Sequence, residues 1–165
     1  MKTIKLSLML LIFSLPIVSS ADEYFEKIKN KDELMGCWKR INFSESAMKM
    51  MNQLESVPLE HQWYCFLENG KYWDLYSNQN DRSMAQILSL MTAFPGQDYS
   101  IPREGMVFII HNETNEKMYW VTSIVVKDVT LWDVDIKQGD VLMTIRNPDT
   151  KKDIYYRFMR KLKDS

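Results

Sequence analysis

From residue 61 onward most of the chain falls into short stretches rich in β-branched, aromatic and other apolar residues, cut by polar turns, the signature of β-strands. The clearest local signal is Asn69-Gly70, the dipeptide most favoured in two-residue hairpin turns, between His61–Glu68 and Lys71–Tyr76. Such a turn sets Phe66 opposite Trp73, Tyr64 opposite Leu75 and Cys65 opposite Asp74. Leu34–Phe43 supplies an earlier strand. Met106–His111, Lys117–Val126, Val129–Ile136, Val141–Arg146 and Asp153–Leu162 supply later ones, separated by short polar turns. Short turns make successive strands antiparallel neighbours. The pattern predicts a mainly β domain, an antiparallel meander of about eight strands forming a sandwich or closed barrel.

Two or three short helices interrupt this pattern. Asp22–Asn30 places Tyr24, Phe25 and Ile28 on one helical face. In Ser44–Ser56, Ser44 or Glu45 can cap, Ala47, Met50, Met51 and Leu54 recur at helical spacing, and Pro58 ends the run. Asp81–Phe94 is the strongest helix, with Asp81 as cap, Met84, Ile87, Leu88 and Met91 in one stripe, and Pro95-Gly96 as stop. The stretch from there to Gly105 reads as a loop. Met48, Met50, Met51, Met84 and Met91 suit a core. If their helices cover a barrel mouth, they would form an adaptable lid over an apolar ligand.

Residues 1–21 follow another pattern. Lys2 and Lys5 precede an apolar run from Leu6 to Val18, and Ser19 and Ala21 stand where a cleavage site requires small residues. The run is short for a membrane-spanning helix, and Pro16 interrupts it. It reads as a signal peptide cleaved near Ala21, leaving residues 22–165 as one exported domain, periplasmic or secreted. A lipoprotein would carry its acylated cysteine where Asp22 stands, and no second long apolar run follows. The mature form is therefore expected to be soluble, with no membrane anchor. The leader and the Lys- and Asn-rich composition have a bacterial character. Asn42-Phe-Ser44 and Asn112-Glu-Thr114 match a glycosylation pattern that only a eukaryotic secretory route would use.

Charge and cysteine content narrow the class further. The chain carries 21 basic and 22 acidic residues, and cleavage removes two lysines and no acid. Such a domain has no general affinity for nucleic acid. The terminal cations Lys151, Lys152, Arg157, Arg160, Lys161 and Lys163 suit the guarding of a strand edge instead. Five tryptophans and eight tyrosines can build a core without metal. Cys37 and Cys65 in an exported chain predict one disulfide, whose loop is worth about 3 kcal/mol or somewhat more in the chain-entropy model. Two buried thiols are the alternative.

Gly36-Cys37-Trp38 lies on the first strand, and the last strand alternates Ile154, Tyr156, Phe158, Arg160 and Leu162 on one face. A G-x-W near the start of a secreted β-rich chain resembles the opening strand of lipocalins and related calycin barrels. The resemblance implies a lipocalin-like barrel whose floor Trp38 closes, with Arg160 packed over its ring. A desolvated cation–π contact of that kind would contribute roughly 1 to 2 kcal/mol. The alternative leaves Trp38 as plain core and Arg160 as an end-of-strand cation.

Catalytic signals are sparse. His61 and His111 each end a strand, where a lone histidine is usually solvated or hydrogen-bonded. With Asp74 or Glu113 they could offer metal ligands, but no spacing supports this, and no metal or other cofactor is expected. Asp133 and Asp135 share a strand face, read as the solvent side opposite Trp132, Val134 and Ile136. A nucleophile elbow and a phosphate-cradling glycine loop are both missing from the sequence. The expectation is an exported, non-catalytic, lipocalin-like barrel binding a small apolar or amphipathic ligand. Its interior would be lined by Trp63 or Tyr64, Trp73 and Trp120. The alternative is a filled barrel acting through its surface, as an envelope or secreted protein-interaction or inhibitor domain.

Overall fold

The computed structural model describes residues 23–50, 61–79, 82–115, 117–132, 134–146 and 153–163. The expected signal peptide, residues 51–56 of the second helix, Asp81, Asp133 and the last turn at 147–150 lie outside that set. The described chain opens with β1 (Phe25–Lys27) and β2 (Gly36–Arg40), followed by α1 (Glu45–Met50). Then come β3 (His61–Phe66), β4 (Lys71–Ser77), α2 (Met84–Thr92), β5 (Gln97–Arg103), β6 (Met106–Ile110) and β7 (Lys117–Val125). The chain ends with β8 (Val129–Leu131), β9 (Val134–Ile136), β10 (Val141–Arg146) and β11 (Asp153–Lys161). Eight of these strands, β2 to β7 with β10 and β11, pair antiparallel in sequence order, and β11 returns to β2 to close a barrel.

Three elements differ from the sequence expectation. Phe25–Lys27 is a strand on β7 rather than part of a helix, pairing Phe25 with Val125. A helix that short is marginal by itself, so tertiary pairing decides. Residues 97–103 are a barrel strand, not a loop. Pro102 hid it, and it sits where the β5–β6 register shifts, between Ser100 and Arg103, as proline in a strand requires. Val129–Ile136, expected as one strand, is a separate hairpin of β8 and β9 turning at Trp132, whose φ is +56°.

Two layers cover the outside of the barrel. Under α2, the bonded Cys37 and Cys65 pack with Trp63, Ile87 and Met91, joined by Trp73, Leu75, Met84 and Leu88. The stripe expected on this helix is therefore real, but it seals an outer wall rather than the mouth. Ser83 caps the helix, accepting from Gln86 N while the Gln86 side chain accepts from Ser83 N. On the other side the β8–β9 hairpin covers Val125, Ile136 and Phe158, with Phe25 and Phe43 against Phe158.

Candidate functional site

The β3–β4 hairpin decides which side chains enter the barrel. Leu67 N donates to Lys71 O and Gly70 N to Leu67 O, so Glu68, Asn69 and Gly70 form a three-residue loop, with Gly70 at φ +76°. The expected two-residue turn is thus one residue short. Phe66 pairs with Tyr72, Cys65 with Trp73, and Tyr64 with Asp74. A slip of one residue reverses every side chain of a strand. Tyr72, Asp74 and Tyr76 therefore share the inward face with Gln62, Tyr64 and Phe66. Trp73 and Trp63 point outward under α2, which corrects their expected place in the lining. Tyr64 and Trp120 do line the interior.

One end of that interior is packed with buried apolar and aromatic side chains. Ile28 and Leu34, both fully buried, pack there with Trp38, Phe66, Tyr72, Tyr99 and Met159. The intervening chain is pinned by Ile28 N donating to Thr122 O and Gly105 N to Ile28 O. Trp38 belongs to this floor, and its indole Nε1 donates to Leu34 O at 2.7 Å. The cation over its ring is Lys161, with Nζ 5.6 Å from the centroid. Arg160 was expected there, but β11 pairs Lys161 with Trp38 and Arg160 with Lys39, so Arg160 faces outward. Phe158 was misleading because β11 carries an apolar side chain on each face beside its cations; Phe158 feeds the outer cluster, and Met159 the inner one. Gly36 has φ +112°, and a Cβ there would stand 2.9 Å from Lys161 Cε, so the Lys161 stem crosses the backbone at that point.

Arg160 works outside instead. It donates to both carboxylate oxygens of Asp140, at 3.0 and 2.7 Å, and to Asp135 O at 2.9 Å, tying the β9 strand and the turn after it to β11. Asp140 is itself buried and also accepts from Lys137 N.

Away from the floor, the same inward faces turn polar. Arg40, Gln62, Asp74, Tyr76 and Arg157 follow Trp38, Tyr64, Tyr72 and Met159 at alternate positions along their strands. Tyr64 Oη donates to Gln62 Oε1 at 2.6 Å, and Tyr76 Oη to Asp74 Oδ2 at 2.8 Å. The Arg157 guanidinium lies 5.6 Å from the centre of the Tyr64 ring, and Arg40 reaches the Met48 sulfur of α1. Rings of Tyr64 and Tyr72 meet Trp120 edge-on at 5.9 and 5.6 Å. Burial pushes the Tyr64 hydroxyl up to about 12 despite Arg157 and raises Tyr72 and Tyr76 as well, with the Asp74 carboxylate acting in the same direction on both. Sequence reasoning missed Gln62, Tyr76, Arg40 and Arg157 as a set. Their shared parity with Tyr64 would have shown it, given the hairpin loop length.

The remaining candidates do not join this cluster. His61 ends β3 beside the outward Trp63. His111 precedes the β6–β7 turn, and its carbonyl accepts from Asn115 N. Asp135 accepts from Thr130 on the exposed hairpin. Among the described residues no three His, Cys, Asp or Glu side chains converge as metal ligands, and no helix is long and apolar enough to cross a membrane. Comparison with known proteins finds no family model, no curated protein and no solved structure that matches this chain.

Proposed function

We propose that this protein is an exported, lipocalin-like, non-catalytic binder of a small amphipathic ligand held inside the barrel. The observation that carries the reading is the split interior, an aromatic floor continuing into tyrosine, arginine, aspartate and glutamine side chains. A polar lining inside a barrel costs free energy unless something polar shares it. An apolar body near Tyr72 and Trp120 with a polar end toward Arg40 and Arg157 would match both halves. The Gly36-x-Trp38 opening, the last-strand cation over Trp38 and the Cys37–Cys65 bond support the lipocalin-like and exported parts of the proposal.

Calorimetric titration with dodecanoate, retinol and haem tests it. Micromolar binding of at least one is expected, and no heat from any would count decisively against a barrel ligand. A second reading uses the outer surface. Phe94 is 72% exposed and Leu90 40%, beside a shallow depression of about 410 Å³ on α2 lined by Arg82, Ala85, Gln86, Ser89 and Leu90. A protein partner lost on Phe94→Ser, with no small-molecule binding, would favour that reading.

A further inference from the structure

We infer that the buried end of the ligand is a flat, apolar body bearing carbonyl-type oxygens, read by hydrogen-bond donors on the inward faces of β3, β4 and, across the barrel, β7; this rests on the barrel-ligand reading above. Trp120 Nε1, Tyr72 Oη, Gln62 Nε2 and Thr122 Oγ1 are all buried and have no hydrogen-bond partner among the described residues. Their residues are 2, 1, 0 and 0% exposed. Native proteins strand few such groups, because each costs about 1 to 3 kcal/mol.

The four atoms share one property. The indole N–H and the amide nitrogen can only donate, and both hydroxyls can donate. Gln62 has already committed its amide oxygen to Tyr64, so the face it has left is its N–H₂. What satisfies this set must bring acceptors. A saturated hydrocarbon brings none, and an ammonium group would set donor against donor at Trp120 and Gln62. The latter exclusion matters because Tyr64, Tyr72, Tyr76 and Trp120 otherwise resemble an aromatic cage for a cation. The Tyr64 face, moreover, is already covered by Arg157. The rings meet near 84° and 89°, so they form upright walls that a flat body can lie against.

The test compares anthraquinone-2-sulfonate with anthracene-2-sulfonate, which share shape and charge and differ in the two carbonyl oxygens. The oxidised protein should bind the quinone about tenfold more tightly, the equivalent of one good hydrogen bond. Trp120→Phe and Gln62→Met should each reduce that preference to about twofold or less. In the unaltered protein, the Trp120 indole N–H resonance should move downfield with the quinone and stay with the anthracene. This second readout needs no variant that folds. Equal affinity for the two compounds, or an unmoved Trp120 resonance, overturns the inference and assigns the donors to bound water. If both compounds fail while dodecanoate, retinol or haem binds, the carbonyl class is wrong but the barrel-ligand reading stands. If nothing binds, both fall.

Discussion

Trp63 and Tyr64 are neighbours in sequence and sit on opposite sides of the barrel wall, one under α2 and the other among the interior aromatics. The same division separates Arg160 from Lys161. Lys161→Met should therefore change tryptophan emission, and the change should vanish in a Trp38→Phe background. Arg160→Met should leave Trp38 emission untouched and loosen the β9 turn held through Asp140. Equal emission changes from both would put the wrong cation over the ring. The buried tyrosines set a second expectation. An unfolded tyrosine ionises near about 10, whereas burial holds Tyr64 up to about 12 and raises Tyr72 and Tyr76 as well. Between those values the unfolded chain sheds protons that the native chain keeps, so stability falls as pH rises. Below about 10 the contribution is complete. Unfolding free energies from urea titrations at about pH 9 and pH 11 should differ by on the order of 1 kcal/mol for Tyr64 alone, with the lower stability at pH 11. A flat profile would mean that these hydroxyls are solvated.

At the scale of elements, the disulfide joins two directly paired strands, Cys37 opposite Cys65, beneath the helix that follows β4. Reduction, or Cys37→Ser with Cys65→Ser, should lower stability by about 3 to 4 kcal/mol for a loop of 28-residue separation. Because the pair lies on the outer face, ligand affinity should remain, and its loss would place the site under α2 instead. The helical period was readable where one face is apolar and the other polar, as in α2, and β6 and β7 were readable from their β-branched and aromatic content between turns. Both signals failed where the chemistry is local or two-sided. The hairpin at Gly70 turned on loop length, β5 was masked by Pro102, and Val129–Ile136 was folded back by a turn at Trp132. The hairpin miss is a single residue of register, but register alone moved Trp73 out of the barrel and brought Asp74 and Tyr76 in.

For the whole molecule, an antiparallel meander of about eight strands was legible from the short turns. Those turns left sandwich and closed barrel open until the lipocalin resemblance favoured a barrel, and the aromatic load foretold a core. The polar upper half was not legible, because Arg40, Gln62, Asp74, Tyr76 and Arg157 come from four strands that only the folded register aligns. The central claim, that a ligand enters this interior, is tested most directly by locating its contact among the tryptophans. Emission is titrated with retinol in the native protein and in Trp120→Phe, Trp63→Phe and Trp73→Phe. The account predicts saturable quenching that is largely lost in Trp120→Phe and retained in Trp63→Phe and Trp73→Phe. Quenching that survives in Trp120→Phe and disappears in Trp63→Phe or Trp73→Phe would contradict it and move the site to the outer wall beneath α2.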